Sequence, residues 1–112
     1  MSTYPALKIL QPQGILDAEQ GKGLYREVTE LLDADIQWIV IDCSTLTFVD
    51  SSGLGLLVRM LKVIEQDGGR LVLCGLNEEF SLLLKMTRME DVFEIYASQV
   101  HFRLVLEQSL AR

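Results

Sequence analysis

Phe48-Val49-Asp50-Ser51-Ser52-Gly53-Leu54-Gly55-Leu56-Leu57 is the stretch whose reading decides the fold. It follows the apolar run Trp38-Ile39-Val40-Ile41-Asp42-Cys43 and opens an amphipathic run from about Ser52 to Asp67. The first has the length and continuous apolarity of a buried strand, the second the periodicity of a helix. An acidic residue, two hydroxyls and a glycine therefore stand where a strand hands over to a helix. The first turn of a helix carries backbone N–H groups without intrahelical partners, and the aligned peptide dipoles favour negative charge there. A serine or aspartate at that place is a good cap, and the same place tolerates a phosphate. Asp50 or Ser51 can serve as the cap.

Around this junction strands and helices alternate. Leu7-Lys8-Ile9-Leu10 reads as a short strand, Gln11-Pro12-Gln13-Gly14 as a turn, and Ile15-Leu16 as a second strand completing an antiparallel hairpin. Asp17 with Gln20 three residues on resembles a capping box, opening a helix whose first turns are weakened by Gly21 and Gly23. Leu24, Val28, Leu31 and Leu32 share one face of it. Ile36 to Cys43 is the strongest strand signal, and Ser44–Thr47 reads as a loop. After the helix from Ser52, Asp67-Gly68-Gly69 is a stop, and Arg70–Cys74 is a second buried strand, parallel to the first through the helical crossover. Asn77 caps a third helix with Glu78 and Glu79 in its first turn. Asp91–Tyr96 alternates as an edge strand, and Ser98 caps a last helix through Val100, Leu104 and Val105. The expectation is one α/β domain over residues 1–112, with an about five-stranded mixed sheet and four helices.

Composition narrows the function. A chain of 112 residues with 49% hydrophobic and 23% charged residues is long and apolar enough for a core. A net charge of −6 argues against a nucleic-acid partner, which calls for a basic face. No apolar run reaches the roughly 20 residues of a membrane span, and the first residues lack the form of a signal peptide, so a cytoplasmic location is expected. Cys43 and Cys74 each end a strand; they form no CxxC pair and read as buried reduced thiols, close together if their strands are neighbours.

Catalytic chemistry finds little footing. Gly53-Leu54-Gly55 lacks the third glycine of a dinucleotide loop, since position 58 is Val58. Ser51 or Ser52 as a hydrolase nucleophile would need a base, and His101, the one histidine, lies in the last helical run. One histidine completes no metal set, and no cofactor is expected. On a helical wheel Leu54, Leu57, Val58, Leu61 and Ile64 form the core face of the helix after the motif. Ser52, Leu56 and Val63, with Met60 at the edge, form a further stripe. A partner surface beside Ser52, with Arg59 on the same side, stands level with the alternative of ordinary surface leucine and valine or a broader core contact against the last helix.

The run Phe48–Leu57, with its DSSGLG core, resembles the signature of the STAS domain family, in particular the bacterial anti-sigma-factor antagonists. The resemblance extends through Ile39-Val40-Ile41-Asp42 and Gly68–Gly75. The family's glycine-glutamate-leucine-aspartate stands here as Gly14-Ile15-Leu16-Asp17, without the glutamate, and the Gly21–Gly23 helix start is unusual. What the resemblance implies is a switch and not an enzyme. A partner anti-sigma factor that is itself a serine kinase phosphorylates the second serine of the motif, Ser52 here, with Ser51 the less favoured site. The unphosphorylated form binds that kinase, and a serine phosphatase resets the system. The partner surface expected on this basis comprises Asp50, Ser51, Gly53, Leu56, Arg59, Met60 and Val63. The alternative is a STAS scaffold or regulatory subunit of a larger signalling or transporter assembly that binds a nucleotide or other ligand.

Overall fold

A computed structural model describes residues 6–110. The elements in chain order are β1 (Leu7–Leu10), β2 (Gly14–Leu16), α1 (Ala18–Asp33), β3 (Trp38–Asp42), β4 (Leu46–Val49), α2 (Ser51–Gln66), β5 (Arg70–Cys74), α3 (Glu78–Met86), β6 (Glu94–Tyr96) and α4 (Gln99–Leu110). Four strands form one sheet in the order β1-β3-β5-β6, and β2 pairs with β4 in a separate ribbon. All of these pairings are parallel.

β3 and β5 lie at the centre of the larger sheet and bury both faces, as near-continuous apolar runs require. Successive side chains alternate. Ile39, Ile41, Leu71 and Leu73 join the main core with Leu54, Leu57 and Ile64 of α2 and Leu24 and Val28 of α1. Val40, Val72 and Cys74 face the other way and pack with Phe102 and Leu106 of α4. Removing such side chains from water is worth roughly 25 cal/mol per Å², so the two faces together supply most of the drive to fold.

Several sequence expectations are corrected. β1 and β2 do not form an antiparallel hairpin: β1 pairs with β3 and β2 with β4. Gly14 bends the chain at φ 75°, and its N–H bonds to the Thr45 carbonyl at 3.1 Å, so the second segment leaves the first. Ser44–Thr47 is not all loop, since Leu46 and Thr47 begin β4. That raises the count to six strands. β6 is an edge strand, parallel to β5, and only Glu94–Tyr96 of the expected segment belongs to it. Its predecessor Phe93 is buried in the main core. The inward face of α4 carries Phe102 and Leu106, whereas Val100 and Leu104 are exposed. Alternation alone could not assign these faces, because apolar residues occur on both sides of α4.

The caps fall where side-chain chemistry put them. Asp17 accepts from Gln20 N at 2.9 Å, Asn77 from Phe80 N at 2.8 Å, and the Ser98 hydroxyl from His101 N at 3.0 Å. Asn77 also donates to the Leu46 carbonyl at 3.2 Å, joining the start of α3 to β4.

Candidate functional site

β4 delivers Asp50 to the mouth of α2 in an extended conformation. Its carboxylate accepts from Gly53 N at 2.7 Å, its carbonyl accepts from Leu54 N at 2.9 Å, and its own N–H donates to the Leu16 carbonyl at 3.2 Å. Asp50, not Ser51, is therefore the cap. Ser51 and Ser52 are the first two helical residues, both exposed. Neither hydroxyl has a hydrogen-bond partner among the described residues, so both are open to a reagent from solvent. A negative charge added at Ser52 would meet the positive end of the α2 dipole.

The other residues expected on a docking surface separate. Arg59 is exposed, with its guanidinium over the Tyr25 ring 5.1 Å from the centroid. Val63 is half-buried against the main core. Gly53, Leu56 and Met60 are buried, so they do not belong to a free surface. The reason is α1. Gly21 is buried against Leu56: a Cβ on residue 21 would lie 2.5 Å from Leu56 Cδ1. The glycine that weakens the start of α1 is what lets α1 lie close on α2 and cover the stripe. Leu56 and Met60 are core, but in the cluster that α1 closes and not against the last helix, whose Phe102 and Leu106 pack on the other face of the sheet.

The exposed apolar surface lies on the other side of Ser51. Phe48 of β4 pairs in register with Ile15 of β2, and both are about half exposed, at 49% and 54%. Leu82 and Met86, one turn apart on α3, are exposed at 55% and 74%. Phe48, Asp50, Ser51, Glu79, Leu82 and Met86 border a groove of about 300 Å³. The sequence did not reveal it, because its walls come from β4 and α3, which are distant in the chain, and not from the wheel of α2. The available signal was the pair Leu82 and Met86, four residues apart and off the Phe80–Leu84 face.

On the opposite face of the sheet, Asp42 is buried and fully engaged. It accepts from Ser44 N at 2.9 Å, Gln99 Nε2 at 2.5 Å and Gln11 Nε2 at 3.3 Å. Burial pushes its carboxyl up, but the bonds from the Ser44 N–H and from Gln99 outweigh it and hold the group below its ordinary value. This is a structural clasp that holds the start of α4 to the end of β3. Cys43 directly follows β3 and Cys74 ends the adjacent β5, with Cys43 N bonded to the Cys74 carbonyl at 2.8 Å. Cys43 packs into the main core and Cys74 under α4, so the thiols leave the sheet on opposite sides and are free. His101 is likewise on the α4 side, edge-on to Tyr96, across the sheet from Ser52.

The STAS domain model matches residues 1–101. The chain belongs to the STAS domain family. The anti-sigma F factor antagonist of Paenibacillus polymyxa is 29% identical over 108 residues, covering 96% of this chain and 92% of that protein. A crystal structure of a candidate anti-sigma factor antagonist from Thermotoga maritima superposes with a TM-score of 0.80 at 26% identity, covering 95% of this chain and 88% of that one. The Bacillus cell fate determinant SpoIIAA, solved in its phosphorylated form, shares the fold with a TM-score of 0.69 at 16% identity, covering 94% of this chain and 96% of that one. This STAS chain is accordingly a regulatory binding protein and not an enzyme. Among the described residues no helix is long and apolar enough to cross a membrane.

Proposed function

We propose that this STAS domain is a phosphorylation-switched antagonist of an anti-sigma factor. Its unphosphorylated surface around Ser51 and Ser52 binds an anti-sigma factor that is a serine kinase. The kinase phosphorylates Ser52, the complex separates, and a serine phosphatase restores the free hydroxyl. The whole of 1–112 acts as one module in the cytoplasm. The observation that carries the reading is an exposed Ser52 hydroxyl in the first turn of α2, without a hydrogen-bond partner among the described residues and next to Ser51 at the border of an apolar groove. The anti-sigma factor antagonists among its relatives support it, as does the phosphorylated form in which SpoIIAA was solved.

The physical basis is asymmetric tolerance of charge. A phosphate adds about −1.5 to −2 charges at neutral pH. In the free domain it stays in water and meets the N-terminal end of α2. In a complex it must be desolvated at the rim of an apolar contact formed by Phe48, Leu82 and Met86, at a cost of roughly several kcal/mol. Each 1.4 kcal/mol is about a tenfold change in affinity, so one modification suffices to release a partner.

The test is incubation with the kinase and ATP, followed by phosphosite mapping, with binding measured in parallel for wild type, Ser52→Ala and Ser52→Asp. Phosphate on Ser52, retained binding by the alanine variant and lost binding by the aspartate variant are expected. No modification at Ser52, or equal binding by wild type and Ser52→Asp, would count decisively against the switch.

A further inference from the structure

A second concavity lies across the sheet from Ser52, between the outer strand β1, β3 and α4. It has a volume of about 280 Å³, and its apolar wall is Leu7, Ile9, Val40, Phe102 and Leu106. It exists because α4 covers the centre of the sheet and leaves β1 uncovered: Val40 is buried, while Leu7 and Ile9 are only half-buried. The volume is just below the usual range for drug-sized ligands, which suits a smaller molecule.

The polar lining is specific. Gln99, Arg103 and Glu107 border the cavity at successive i, i+4 positions of α4. That spacing stacks their side chains along one edge of the helix, roughly 5–6 Å apart at Cβ. Arg103 and Glu107 carry opposite charges, and among the described residues neither is in an ion pair. Gln99 spends its Nε2 on Asp42, and its carbonyl oxygen has no donor among the described residues. One cation and two acceptors thus flank an apolar chamber. The chain's net charge of −6 works against a simple anion. From this juxtaposition we infer that the cavity binds a small zwitterion with an apolar body, an α-amino acid of the leucine or phenylalanine class. Its carboxylate meets Arg103, its ammonium meets Glu107 one turn on, and its side chain enters between Ile9, Val40 and Phe102. The site is separate from the Ser52 face, so it stands or falls independently of the proposed switch.

The test is a methyl-resolved NMR titration of the intact chain with L-leucine and L-phenylalanine, up to about 20 mM for weak, fragment-like affinity. Saturable shifts confined to the methyls of Leu7, Ile9, Val40 and Leu106 are expected with at least one of the two. Glycine, lacking the apolar body, should give none. Hexanoate and hexylamine, each with one of the two charges, should bind at least about fivefold more weakly. Arg103→Gln and Glu107→Gln should each weaken binding by a similar factor while leaving the melting temperature unchanged. No saturable shift with either amino acid, hexanoate or hexylamine binding as tightly, or both variants binding like wild type would overturn the inference.

Discussion

The Leu16 carbonyl closes off the space that a side chain on Gly53 would need. A Cβ on residue 53 would stand 2.8 Å from the Leu16 carbonyl carbon and closer still to its oxygen, and that oxygen already accepts from Asp50 N. Because the obstacle is backbone, it cannot turn aside. Gly53→Ala should therefore destabilise the domain by more than about 3 kcal/mol or prevent folding. Gly55, two residues on, is exposed with nothing within 4 Å of its would-be Cβ. Gly55→Ala should stabilise by roughly 0.5–1 kcal/mol, the ordinary helical preference. Urea denaturation of the two variants checks both signs, and equal effects would refute the distinction.

Leu56 and Leu82 make a second contrast. Leu56→Ala empties a buried seat on Gly21 and should cost about 2–4 kcal/mol of stability. Leu82→Ser and Met86→Ser alter exposed positions and should leave stability within about 0.5 kcal/mol. If the groove beside Ser51 docks the kinase, those two variants weaken binding by about tenfold or more. Melting curves and titration calorimetry separate the outcomes. Unchanged binding by both serine variants would remove the groove from the interface.

Asp42 sets an acid limb. Its folded-state carboxyl is held below its ordinary value, so the unfolded chain takes up the proton first as pH falls. Its stabilising contribution is present above the ordinary carboxylate range and is lost as pH drops through that range and below. Asp42→Asn should flatten this loss, and Gln99→Ala should lower stability at pH 7 by loosening α4. Glu94, held down by the Arg70 guanidinium bonded to it, acts in the same direction. Stability curves from pH 7 to pH 3 for wild type and Asp42→Asn provide the measurement. Identical slopes would exclude a role for Asp42.

Burial pushes the Cys43 thiol up to about 12 and the Cys74 thiol up to about 11. Both stay protonated near neutrality, and the thiolate is the reactive form. Ellman's reagent at pH 8 should label the native protein slowly, at a rate set by unfolding, and both thiols quickly in denaturant. Rapid labelling of native protein would contradict the burial. No intramolecular disulfide should form on oxidation, because the two side chains lie on opposite faces of the sheet.

How much of this was legible beforehand follows from which forces are local. Asp17, Asn77 and Ser98 cap their helices through bonds three residues away, and β3 and β5 announce themselves as unbroken apolar runs; such signals lie within one stretch of chain. The strand-to-helix junction with its two exposed serines was equally plain at Asp50–Gly53. What only the tertiary structure decided involves partners distant in sequence. Gly21 had to meet Leu56 before the stripe beside Ser52 could be recognised as core. β2 had to leave β1 for β4 before Ile15 could stand beside Phe48 at the edge of the groove. Parallel pairing and helix packing join segments whose spacing carries no local trace, so the proposed docking groove, unlike the proposed switch residue, became visible only once the chain was folded.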